Sequence, residues 1–246
     1  MNAAGASSII SSKTFPIDER AMTDNDVAAS LAAVREAIAA AAKKAGRAPH
    51  DVTLVAISKN HREDRIRPAL EAGHRIFGEN RVQEALAKWP ALKDRYPGVE
   101  LHLVGPLQTN KVRQALGMFD VIETLDRPKL ARTLAREMAR IERQTPCYIQ
   151  INTGEEPQKA GVMPGEAEAF ISLCRDQLAL TVAGLMCIPP IDEEPALHFA
   201  LLAEIAGRQG IDGLSMGMSA DFECAVALGA SHVRIGTSIF GERRDD

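Results

Sequence analysis

Between residues 52 and 236 the apolar residues fall into short β-branched runs, each followed by a longer stretch in which they recur every three or four positions. The runs are VTLVAIS (52–58), RIFG (75–78), ELHLVG (100–105), FDVIETL (119–125), CYIQIN (147–152), LTVAGLM (180–186), DGLSM (212–216) and HVRIG (232–236). Helical spacing covers 80–94, 126–143, 164–177 and 193–209 among the intervening stretches. Ahead of the first run, Val27, Leu31, Val34 and Ile38 share one helical face, with capping residues at 23–26 and Gly46 closing the segment. Eight strands alternating with helices, unbroken by any linker, predict parallel βαβ units closed into a single (β/α)8 TIM barrel, an α/β fold with one extra N-terminal helix. A doubly wound open sheet usually needs fewer strands and a glycine fingerprint after the first, and VAISKNHRE carries no G-x-G-x-x-G. The barrel domain is expected over 23–246. Residues 1–22 lack a basic n-region and a sustained apolar stretch, so they read as a disordered tail rather than a secretory signal.

Composition adds limits. The 246-residue chain is 46% apolar and 25% charged with a net charge of −4, which leaves an ample core and no global electrostatic pull toward nucleic acid or anionic lipid. No apolar run approaches the roughly 20 residues of a membrane span. Cys147, Cys174, Cys187 and Cys224 are far apart, without C-x-x-C or Cys/His metal spacing, and read as reduced thiols of a cytoplasmic protein with no metal site. A small barrel without a separate dimerisation module is expected to be a monomer.

A barrel of this kind places its chemistry at the C-terminal ends of the strands, often with phosphate bound after strands seven and eight. Lys59 directly follows the first strand. There it would stand partly desolvated in the barrel mouth, which favours a neutral, nucleophilic amine; a lysine reaching solvent from a strand end is the plainer alternative. Asn80 follows strand two and could equally cap the next helix. His102 lies within strand three, where a satisfied core histidine is the commoner outcome. On strand eight, alternation sets Val233 and Ile235 on one face and His232 and Arg234 on the other, so Arg234 points inward and needs an anion or strong acceptor. On either side stand Ser215-Met216-Gly217-Met218-Ser219 and Gly236-Thr237, each ending a strand and opening a helix, a setting that suits phosphate. A phosphate there and a lysine at strand one together suit pyridoxal 5′-phosphate (PLP); a phosphosugar would use the phosphate site but leave Lys59 without an evident task.

Taken in order, VAISK, FGENRVQE, HLVGPLQTNK, QINTGEEPQKAG, GLMCIPP, LSMGMSADFE and VRIGTSIFG resemble the pyridoxal phosphate homeostasis family, which is related to the N-terminal barrel of alanine racemase. The resemblance runs from about residue 27 to 241. It implies that Lys59 holds PLP as a Schiff base, that Ser215, Ser219, Gly236 and Thr237 hold its phosphate, that Asn80 and Met216 border the ring, and that Arg234 contacts either phosphate or the pyridine nitrogen. The chain departs from the family pattern at Asn60-His61-Arg62 after the lysine and at Leu101 before His102.

Alanine racemase uses a tyrosine from a separate C-terminal domain as the base opposite its lysine, and two-base proton transfer needs such a partner. The tyrosines here are Tyr96, in a loop before strand three, and Tyr148, inside strand five. The expectation is therefore a PLP binder that buffers or delivers the cofactor in vitamin B6 homeostasis, with PLP-dependent apoenzymes as candidate partners and no catalytic residue. The alternative is a weak PLP-dependent racemase or transaminase.

Overall fold

The computed structural model describes residues 24–241; the expected tail at 1–22 lies outside them. Strands β1 (Thr53–Ile57), β2 (Ile76–Glu79), β3 (Glu100–Leu103), β4 (Val121–Leu125), β5 (Cys147–Gln150), β6 (Val182–Met186), β7 (Gly213–Ser215) and β8 (His232–Ile235) form a closed barrel in sequential order. Every neighbouring pair is parallel, and β8 returns to pair with β1, Ala56 opposite Ile235. The expected (β/α)8 topology is present. Around it lie α1 (Asp24–Lys44), α2 (Glu63–Glu71), α3 (Val82–Arg95), α4 (Val112–Met118), α5 (Pro128–Arg140), α6 (Ala167–Ser172), α7 (Pro195–Arg208), α8 (Phe222–Ala227) and α9 (Thr237–Phe240). The stretch expected as one helix at 164–177 is instead a 3₁₀ turn, α6 and a π-helical turn at Leu173–Gln177.

Strand alternation sorts the side chains into two unlike layers. The outward layer, including Leu54, Phe77, Leu101, Ile122, Leu185 and Val233, is continuous with the buried faces of the helices. Each such side chain contributes roughly 1.5–3 kcal/mol by leaving water, so this layer holds the helices to the barrel. On α5 the buried residues are Leu130, Ala131, Leu134 and Met138, one helical stripe, and Pro128 occupies its first turn where no N–H is required. The inward layer has only small apolar clusters, Val55 with Ile57 and Val104, and Val121 with Tyr148 and Met186. Between them the lumen is polar.

The extra helix α1 buries Val27, Leu31, Val34, Ile38 and Ala42 against α2, α8 and α9. Its exit is fixed by Arg47, whose Nη1 donates to the carbonyls of Val226 at 2.9 Å and Ala230 at 2.8 Å. The elements that follow β7 and β8 are thereby braced from outside. No helix among the described residues is long and apolar enough to cross a membrane.

Candidate functional site

Lys59 stands in the turn immediately after β1 and is half-buried. The residues on either side of it are held by an ammonium that the sequence pattern did not single out. Lys88, on α3 and buried, donates to the carbonyl oxygens of Ser58 at 2.8 Å and His61 at 3.0 Å, to Glu84 Oε1 at 2.9 Å, and pairs with Glu79 Oε1 at 2.8 Å. Glu79, the last residue of β2 and fully buried, also accepts from Ser58 Oγ at 2.6 Å and Trp89 Nε1 at 3.0 Å. Its other oxygen, Oε2, is buried without a hydrogen bond. Burial pushes the Glu79 carboxyl upward, against the opposing pull of Lys88, Ser58 and Trp89. Asn60 completes the turn in the left-handed region at φ 62°, a conformation asparagine tolerates, with its N–H on Glu84.

Across the lumen Arg234 points inward, as alternation required, and is 5% exposed. Its Nη1 donates to Ser215 Oγ at 2.7 Å and its Nη2 to the carbonyl of Cys187 at 2.8 Å. Ser215 Oγ in turn donates to Glu123 Oε2 at 2.6 Å, and Glu123 Oε1 lies 2.6 Å from His102 Nδ1. The other ring nitrogen of His102 is 2.8 Å from Glu100 Oε1. His102 is thus a satisfied core histidine. Burial opposes its charge, but the two carboxylates outweigh burial and raise it to about 9. Glu123 is fully buried, which alone would raise its carboxyl; His102, Arg234 and Ser215 hold it down at about 2.

The strand register places the lysine turn and the Gly236 turn side by side. With Ala56 opposite Ile235, the turn at Ser58–Lys59 runs next to Gly236–Thr237. A Cβ on Gly236 would come within 3.1 Å of Ile57 O and 3.2 Å of Ile57 Cβ, so the seam is closed by bare backbone. The His61 and Phe240 rings, 5.3 Å apart, hold α9 against the same turn. On the other side, Arg234 N donates to Gly217 O at 2.9 Å, and Gly217 adopts φ 92°, which favours glycine. Ser219 is half-buried in that loop, and Thr237 is exposed at the start of α9.

The expected residues therefore separate. Lys59, Gly236 and Thr237 meet along the β1–β8 seam, Gly217 is bonded to the Arg234 backbone with Ser219 two residues on in its loop, and Asn80 follows β2 half-buried. Asn80 is not the cap of α3, which is Arg81. The Met216 side chain is fully buried in the outward apolar core, on the face opposite Ser215. Ser215 is inside the barrel, and its single proton goes to Glu123, so in this arrangement it has none for a phosphate. The acceptor that Arg234 required is supplied by Ser215, behind which stands Glu123 of β4. All four cysteines are free, and burial pushes Cys147, Cys174 and Cys187 up to about 12, which makes them poor nucleophiles.

Sequence reasoning passed over Glu79, Lys88 and Glu123. Glu123 carried a usable signal, since in FDVIETL it shares the inward face with Val121, by the same alternation that placed Arg234. Lys88 carried none: AKW on an amphipathic helix reads as a solvated position.

The amine after β1, the hydroxyls of Ser219 and Thr237, and the backbone at Gly217 and Gly236 make a donor set that fits a ligand with an aldehyde at one end and a phosphate at the other. Comparisons with known proteins agree on the frame. Residues 29–244 match the family model for the alanine racemase N-terminal domain. The pyridoxal phosphate homeostasis protein of Escherichia coli strain K12 is 38% identical over 228 residues, spanning 89% of this chain and 97% of its own. That of Pseudomonas aeruginosa is 40% identical over 222 residues, spanning 88% and 96%. Among solved structures, PipY of Synechococcus elongatus PCC7942 with PLP bound superposes with a TM-score of 0.76 at 37% identity, covering 87% of this chain and 100% of that one. An alanine racemase of Clostridium difficile 630 gives 0.69 at 14% identity, covering 90% and 58%, a likeness of fold.

Proposed function

The chain belongs to the pyridoxal phosphate homeostasis family, built on the alanine racemase N-terminal-domain fold, and from that premise we propose that it binds PLP at the C-terminal mouth of its barrel and holds and releases it with little turnover. The observation that carries this reading is the β1–β8 seam, where the register sets Lys59 beside Gly236–Thr237. PLP, when bound, supplies an aldehyde for a nucleophilic amine and a ring that can act as an electron sink.

The residues divide the work. Lys59 offers the amine, and its turn is kept rigid by Lys88 at the carbonyls of Ser58 and His61. Thr237, Ser219 and the backbone of the two glycine turns take the phosphate. Asn80 borders the ring from β2. Arg234 has N–H groups beyond the two given to Ser215 and Cys187, and a guanidinium does not give up its proton to a ring nitrogen, so the sink stays weak. A second base for proton transfer is not supported by the tyrosines. Tyr148 lies inside β5, 5% exposed, its hydroxyl 3.2 Å from His232 Nδ1, and burial raises its phenol. Tyr96 ends α3 and donates to Glu71 Oε1 at 3.2 Å. We place the protein in the cytoplasm, as a reservoir from which PLP-dependent apoenzymes draw.

The test is the visible absorption of the purified protein after PLP addition and desalting, beside Lys59→Ala. A retained band lost in the variant supports the site. No band in either protein removes Lys59 from this role, and robust amino-acid racemisation by the wild type would convert the binder into an enzyme.

A further inference from the structure

Glu123 is a buried carboxylate near the middle of β4 to which the function above gives no task. Its surroundings determine which proton goes where. A carboxylate only accepts, so the 2.6 Å contact between Ser215 Oγ and Glu123 Oε2 uses the hydroxyl proton of Ser215. The serine oxygen is then an acceptor, and Arg234 Nη1 donates to it at 2.7 Å. The second arm of the guanidinium is fixed on the carbonyl of Cys187 at 2.8 Å, at the end of β6. Two acceptors on two different nitrogens fix the plane of a guanidinium, which a single one does not. On the far side, His102 Nδ1 lies 2.6 Å from Glu123 Oε1 and is itself tied to Glu100. The row His102, Glu123, Ser215, Arg234 takes one side chain from each of β3, β4, β7 and β8.

We propose that Glu123 is a positioning residue for Arg234, acting through the hydroxyl of Ser215, so that the orientation and effective charge of the arginine facing the bound ligand are set from the opposite wall of the barrel. The ligand side of this statement rests on the PLP reading; the link between Glu123 and Arg234 does not. Ser215 is accordingly a relay for Arg234 and not a phosphate donor. The charged and titratable groups around the row are Glu100, His102, Tyr148, His232 and Arg234, from β3, β5 and β8. His232 remains lowered by burial, so it brings little positive charge of its own.

A row of this kind that serves only to fill the lumen would affect stability alone. The first measurement therefore uses the ligand-free protein: side-chain nitrogen spectra of its arginines. Arg234 is expected to show separately resolved Nη protons in the wild type and in Ser215→Thr, which keeps the hydroxyl, and averaged ones in Ser215→Ala. Averaged signals in the wild type, or unchanged signals in Ser215→Ala, overturn the proposal whatever PLP does. The second adds PLP and follows the pH midpoint of the retained visible band. Removing a buried negative charge disfavours protonation nearby, so Glu123→Gln is expected to lower the midpoint by about half a unit to one unit. A folded Glu123→Gln with an unmoved midpoint reduces Glu123 to a structural residue and overturns the proposal. Absence of a band in the wild type instead defeats the PLP reading, and the nitrogen spectra still decide the link.

Discussion

The two sides of the barrel mouth each bury a cation, and they neutralise it in opposite ways. On the β1–β2 side Lys88 is paired directly with Glu79 and Glu84 and also takes two backbone carbonyls. Those four acceptors leave the ammonium little capacity for anything else. On the β7–β8 side Arg234 has a hydroxyl and one carbonyl, and its carboxylate stands a bond further away, behind Ser215. The first arrangement locks a shape, the turn that carries Lys59. The second fixes a direction while leaving guanidinium protons for a ligand.

If that contrast is correct, the lysine side gives the largest stability loss. Lys88→Met removes the ammonium paired with buried Glu79, and the carbonyls of Ser58 and His61 each lose the Lys88 N–H. Breaking one partner of a buried pair costs about 3–5 kcal/mol, which urea unfolding of the variant against wild type should show. A loss below about 1 kcal/mol would mean that solvent reaches Glu79 and that the turn is held by other contacts.

The arginine side should reveal itself through pH. His102 is raised in the folded state to about 9 from 6.5, so its stabilisation is complete below about 6.5 and lost as pH rises through about 9. Glu123 is depressed from 4.5 to about 2, so its stabilisation is complete above about 4.5 and lost as pH falls through about 2. The pair is therefore at full strength between about 4.5 and 6.5. Thermal unfolding of the wild type should lose on the order of 2 kcal/mol between pH 6.5 and 9, and His102→Gln should flatten that slope. An equal slope in the variant would assign the pH dependence to other groups.

The fold was legible because its outer layer obeys a single rule, apolar residues on alternate strand positions facing apolar helix stripes; seven of the strand runs needed only trimming at their ends, and the second shifts by one residue to Ile76–Glu79. Lys59 and Arg234 were legible because each breaks its local pattern, a cation closing an apolar run and a cation alternating inward. Glu123 breaks the pattern in the same way and was readable on the same ground. Lys88 was not, since its burial comes from the meeting of α3 with the β1 turn, a long-range contact that no local spacing records. Ser215 and Met216 lie in the loop the sequence marked, but the sequence did not show that Ser215 donates to Glu123 or that Met216 packs into the outward core. Which neighbour a hydroxyl serves depends on a carboxylate 92 residues away.

Smaller effects separate ligand contacts from scaffold. Thr237 is exposed, with its hydroxyl at the end of the seam, so Thr237→Val should leave unfolding unchanged and weaken PLP binding about tenfold, the loss of one hydrogen bond to a charged group of about 1.5 kcal/mol. Equilibrium dialysis against PLP reads this directly. Ser215→Ala, by contrast, should shift unfolding as well as binding, because its hydroxyl lies between two buried charges. Equal behaviour of the two variants would return Ser215 to the phosphate and erase the difference between the sides.

The smallest expected effect tests the seam itself. Gly236 has φ −122°, outside the left-handed region that favours glycine, so Gly236→Ala is decided mainly by what its Cβ meets. The added Cβ would stand 3.1 Å from Ile57 O and 3.2 Å from Ile57 Cβ, and relief requires β8's end to draw back from β1 by a few tenths of an ångström. Stability should fall by less than about 1 kcal/mol, since a single methyl against a yielding strand end is a mild overpacking. The same movement carries the backbone proposed to face the phosphate away from Lys59. PLP affinity should drop by about two- to threefold, a few tenths to less than 1 kcal/mol, with the visible band intact. Unchanged affinity would show that phosphate is held by the β7 loop alone, and that the closeness of the lysine turn to α9 belongs to the architecture and not to the ligand.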